Sequence, residues 1–77
     1  MPTNMFYSAI GAEILRISRV SSSMENIHVA TRTLMKRALK QGATKERMEK
    51  TLKKMYGRHD ILKQFGNNAL EFVNSLW

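Results

Sequence analysis

The residues predict an all-α fold, a compact bundle of three to four short helices, on three observations. Apolar positions recur at intervals of three and four along the chain and nowhere alternate as they would in a strand. Helix-breaking clusters at Ser21–Ser23, Gly42–Thr44 and Gly66–Asn67 divide the chain into segments of ordinary helical length. The chain has 77 residues, 43% of them apolar and none of them cysteine. That composition allows one core, residues 1–77 as a single domain, held without disulfides or thiolate–metal staples.

The first helix is expected over about residues 4–20. Phe6, Ile10, Ile14 and Ile17 repeat at four, four and three, and Leu15 and Val20 widen the stripe. Gly11 within it costs about 1 kcal/mol of helix propensity against alanine, which points to a close helix crossing. A second helix, about 23–41, opens with Ser22 and Glu25 as a capping box. Its apolar face is Ile27, Thr31, Leu34 and Ala38, with Ala30, Met35 and Leu39 beside it. Gly42 ends it in the left-handed conformation.

Thr44 then N-caps a third helix, about 44–56, whose stripe is Met48, Leu52 and Met55 and which Gly57 closes. In the tail Asp60 can cap a short helix to Phe65, and Asn67 or Asn68 a last one over about 68–76. There Leu70, Val73 and Trp77 share a face, joined by Ala69, Phe72 and Leu76. Trp77 either completes its own core or docks on a partner.

Charge is the most informative bulk property. Thirteen Lys and Arg against six Asp and Glu leave a net charge of +7, the footprint of a nucleic-acid or anionic-surface binder. Ten of the cations fall between Arg32 and Arg58, opposed only by Glu46 and Glu49. Arg32, Lys36 and Lys40, spaced by four, form a ridge on helix two, with Arg37 adjoining. Lys45 opens helix three, and Lys50, Lys53 and Lys54 lie away from its Met48/Leu52/Met55 stripe. Across the Gly42–Thr44 corner these ridges are expected to merge into one phosphate-binding patch. A solvated face is the bland alternative, but like charges at i,i+4 each cost a few tenths of a kcal/mol, which argues for a compensating use. Ala38, Gly42 and Met48 also match the spacing of a helix-turn-helix corner, although any helix–glycine–helix corner gives much the same pattern.

Other chemistry is not expected. His28 and His59 have no partner at ligand spacing, and Ser21–Ser23 has no base nearby. Glycines do not cluster into a phosphate loop, and Glu46 and Glu49 sit among cations. No enzyme, metal or cofactor follows from these residues. Apolar runs reach only three residues, too short to cross a bilayer, and the basic faces lack the interleaved aromatics of a membrane-surface helix. Met1-Pro2-Thr3-Asn4 has no basic flank or following apolar run, so no signal peptide is expected. Absence of cysteine fits a reducing compartment; an intracellular location is expected, nuclear or cytoplasmic being left open.

The run Gly11-Ala12-Glu13-Ile14-Leu15-Arg16-Ile17-Ser18-Arg19-Val20-Ser21-Ser22, then Leu34 to Gly42, then a helix like Lys45–Tyr56, resembles a region of certain reverse transcriptases. It follows the catalytic palm in those of Penelope-like and related animal retroelements. The resemblance covers roughly Phe6 to Arg58. It implies a thumb-like or helix-turn-helix extension that grips template–primer duplex by its backbone as part of a larger polymerase. Fingers, palm and paired catalytic aspartates are absent from this chain, so such a domain cannot polymerise alone. Arg16 and Arg19 match the arginines of the motif and either clamp phosphate or pair with Glu13. The expected partner is nucleic acid (duplex DNA, RNA or hybrid). The alternative is a protein-interaction or oligomerisation domain, for which Phe72, Leu76 and Trp77 are the evidence.

Overall fold

In the computed structural model, residues 3–77 are described; Met1 and Pro2, where the signal-peptide reading begins, lie outside the described residues. Four α-helices follow one another: α1 (Asn4–Val20), α2 (Met24–Lys40), α3 (Lys45–His59) and α4 (Ala69–Ser75). A 3-10 turn at Lys63–Phe65 separates the last two, and the described residues contain no strand. The domain is a compact all-α bundle with a radius of gyration of 11.5 Å.

Each helix starts on a polar side chain that accepts one of the orphan first-turn N–H groups. Thr3 Oγ1 takes the Phe6 N–H (3.3 Å), Ser23 Oγ that of Asn26 (3.2 Å), Thr44 Oγ1 that of Arg47 (3.3 Å) and Asn68 Oδ1 that of Glu71 (2.8 Å). The cap of α2 is therefore Ser23 and not Ser22. This one-residue shift puts Asn26 at the position the box requires of glutamate, so no reciprocal bond forms. Glu25 remains in the first turn, where its charge still faces the positive helix end.

At the other end of α2, Gly42 has φ 96°. Its N–H bonds Leu39 O (3.1 Å) and that of Ala43 bonds Ala38 O (3.0 Å), the paired bonds of a Schellman turn. Ala43 is buried behind it, supplying the apolar contact of the corner. Gly57 does not close α3. It lies inside the helix, where an added Cβ would sit 3.9 Å from Ala69 Cβ on α4, and α3 continues to His59. The helix ends at Asp60, in the left-handed region (φ 52°), so Asp60 terminates α3 and does not cap a following helix.

The buried faces are rotated slightly from those the periodicity predicts. On α1 the buried set is Tyr7, Gly11, Ile14 and Ser18, with Phe6, Ile10 and Ile17 half-buried and Val20 72% exposed. The cause is Gly11. A Cβ there would lie 3.3 Å from Met55 Sδ and 3.4 Å from Thr51 Cγ2, so the bare glycine lets α3 approach along that line. On α2 Met35 is buried and Leu34 half-buried; on α3 Tyr56 is buried and Met55 half-buried.

α1 packs on both α2 and α3, and α4 packs on α3. Where the first three meet, the Tyr56 hydroxyl bonds Thr31 Oγ1 (3.0 Å) and Ser18 Oγ (3.4 Å). Ser18 in turn donates to Ile14 O (2.9 Å). Every buried side-chain N or O among the described residues has a partner. Because α4 stops at Ser75, Trp77 leaves the helical face that Phe72, Val73 and Leu76 bury, and remains 42% exposed; Leu70 is 56% exposed.

Candidate nucleic-acid interface

Six of the ten cations of α2 and α3 line two grooves that share no residue. The larger, about 570 Å³, runs between α1 and α3. Its α3 wall carries Arg47, Lys50, Lys54 and Arg58, at intervals of three, four and four, which is one face of a helix. Ser8, Gly11 and Ala12 on α1 make the opposite side low, and no Asp or Glu lines the groove. At one end Arg47 is held across the groove. One guanidinium N–H donates to Asn4 Oδ1 (2.8 Å), and the group lies 4.5 Å over the Tyr7 ring. A planar cation fixed in this way loses little freedom when it meets a phosphate. Lys50 and Lys54 are exposed and make no ion pair within 4 Å among the described residues.

The second groove, about 380 Å³, lies between α2 and the residues after α4, with Lys36 and Arg32 on its rim. Arg32 is engaged: its Nε donates to Leu76 O (3.2 Å) and another guanidinium N–H to Ser75 O (3.4 Å). The guanidinium thus satisfies carbonyls at the end of α4, where the helix dipole favours a cation. Lys45 Nζ sits 4.8 Å over the Trp77 ring. Arg37 and Lys40 are exposed on α2 but line neither groove, and half-buried Lys53 stands apart from Lys50 and Lys54. Arg47, Lys50, Lys54 and Arg58 of α3 and Arg32 and Lys36 of α2 therefore line different grooves.

Between the two roles open to Arg16, the structure shows pairing with Glu13, through Nε to Oε2 (3.1 Å) and a second N–H to Oε1. The Arg16 hydrogen bond holds the exposed Glu13 carboxyl below its ordinary pKa. Arg19 lines a shallow pocket with His59 and Asp60 at the far end of α3. His28 Nε2 lies 3.2 Å from Ser75 Oγ and 3.3 Å from its carbonyl, with the ring edge-on to Phe72, a packing role. Among the described residues no group of three or more His, Asp and Glu is placed to hold a metal, and no helix is long and apolar enough to cross a membrane.

Arg47 and Arg58 were not among the expected contact residues. Their spacing with Lys50 and Lys54 puts all four on one helical face, but that this face borders α1 follows only from the rotation of α3 that buries Tyr56. Asn4 and Tyr7, which orient Arg47, come from another helix and leave no local signal. No protein family, curated protein or solved structure matches the chain.

Proposed function

We propose that this domain is a non-catalytic nucleic-acid-binding module whose α1/α3 groove grips the phosphate backbone of a duplex with little base readout. The observation that carries the reading is the row Arg47, Lys50, Lys54 and Arg58 along a groove that no Asp or Glu lines. Over eleven residues the row extends about 16 Å at about 1.5 Å per residue. That length suits about three successive phosphates of one strand, whose neutralisation releases counterions. The low α1 side leaves room for a backbone to lie against the helix pair. Lysines and arginines presented in a row neutralise phosphates but do not by themselves select a base.

The resemblance to the region after the palm of Penelope-like reverse transcriptases supports the same reading. There the domain would act as a thumb-like or helix-turn-helix-like part of a retroelement polymerase, with the Gly42–Thr44 corner joining its two basic helices. Lys36, Arg37 and Lys40 would be outlying contacts.

The test is titration of fluorescent duplex DNA, RNA and hybrid across a salt series. Expected is a steep negative slope of log K against log salt. Lys50→Gln with Lys54→Gln flattens it by about two units and weakens every sequence alike. Lys36→Gln with Lys40→Gln flattens it less, and Lys63→Gln leaves it unchanged. Binding without salt dependence, or equal losses in all three variants, overturns the groove as the site.

A further inference from the structure

The second groove has a different chemistry from the first. Its floor is aliphatic, made by Met35, Leu39 and Leu76, and its open side is Trp77. Two of these stay accessible to solvent, Leu39 at 37% and Trp77 at 42%. Around this apolar floor stand three cations, Arg32, Lys36 and Lys45, and no Asp or Glu side chain lines the groove. Arg32 bonds the carbonyls of Ser75 and Leu76, and Lys45 lies against the indole, so the groove's edge is held in position.

We infer that this groove docks a short acidic peptide segment of a partner protein, with one or two aliphatic side chains entering the floor and carboxylates meeting Lys36 and Lys45. Charge complementarity selects an acidic partner. Selection of a peptide over a nucleotide comes from the floor: aliphatic walls gain from burying a leucine-like side chain, whereas a base requires an open aromatic face. Here Lys45 already occupies one face of Trp77, the aromatic ring that lines the groove. An apolar anchor desolvated at the centre with charges at the rim is the ordinary anatomy of a small protein interface. The site is separate from the α1/α3 groove, so a domain held on nucleic acid keeps it free for a second protein.

Trp77 is the chain's sole tryptophan, so its emission reports the groove directly. The probe is a synthetic helical peptide with Leu at i, i+3 and i+7 and Glu elsewhere, titrated into the full chain. A saturable change in Trp77 emission is expected. Replacing the peptide's leucines by serine, or its glutamates by lysine, weakens binding by about tenfold or more. Leu39→Glu and Lys36→Glu, both at exposed positions and checked for unchanged helicity, do the same from the protein side. Lys50→Gln with Lys54→Gln leaves peptide binding unchanged. Absence of any saturable change overturns the proposal, as does equal binding of the lysine peptide. A change produced by single-stranded oligonucleotide and not by the acidic peptide would make the groove a nucleotide-stacking site instead.

Discussion

Tyr56 is the residue through which three helices share a buried polar contact, and its chemistry can be read out by pH. Burial pushes its hydroxyl above the ordinary tyrosine pKa, while the hydrogen bonds with Ser18 and Thr31 act in the opposite direction without cancelling it. The folded state therefore holds this proton to higher pH than the unfolded chain does. Below about pH 10 both states are protonated and the contribution is complete. Above it the unfolded state loses its proton first, so stability falls as pH rises toward the folded pKa. Tyr56→Phe is expected to cost about 1–2 kcal/mol at neutral pH, since Thr31 loses its buried partner. The gap between wild type and variant should narrow above about pH 10 in denaturant melts. A gap that stays constant to about pH 11.5 would mean that the hydroxyl is not held neutral by burial.

At the level of single elements, the helix ends at Gly42, Thr44 and Asn68 were legible in the sequence, while those assigned to Ser22, Gly57 and Asp60 were not. Thr44, Asn68 and Gly42 act where expected because capping is chemistry between near neighbours in the chain. Ser22, with Glu25 three residues on, is the cap the sequence predicts for α2, but the actual cap depends on where the chain leaves α1. The structure selects Ser23 through its bond to the Asn26 N–H. Ser23→Ala is accordingly expected to lower stability by about 1 kcal/mol, and Ser22→Ala to be nearly silent. Thermal melts followed by circular dichroism distinguish the two; a larger loss at Ser22 would return the cap to the upstream serine. Faces were read in part, because stripes drawn through the most apolar residues passed over Tyr7, Ser18 and Tyr56. Those three are buried since each polar atom finds a partner, Tyr7 by accepting the Thr44 N–H (3.3 Å).

For the whole molecule, charge opposes compaction. The stretch from Arg32 to Arg58 nets +8, while the exposed ion pairs within 4 Å among the described residues are Arg16–Glu13 and Lys63–Asp60. Exposed pairs of this kind contribute about 0–1 kcal/mol each, so repulsion among ten clustered cations dominates the salt response. The Tm is expected to rise as sodium chloride goes from about 20 mM to about 300 mM, because screening acts chiefly on repulsion. A flat or falling Tm over that range would mean that the cations are compensated within the fold.

By itself the sequence determined what local forces decide: helical class, a division into three to four segments, the Gly42–Thr44 corner with its two caps, and a strongly basic α2–α3 half. These follow from periodicity, propensity and composition, which need no knowledge of a neighbour. Only the tertiary structure decided which cations stand together. Close approach at Gly11 sets how α3 lies on α1, and burial of Tyr56 in place of Met55 sets its rotation. Together these bring Arg47, Lys50, Lys54 and Arg58 onto one groove and leave Lys53 off it. Likewise the Arg32 guanidinium is engaged because the carbonyls ending α4, more than forty residues away in the chain, come within hydrogen-bonding reach of it. A long side chain follows its nearest strong partner, and that partner is supplied by packing.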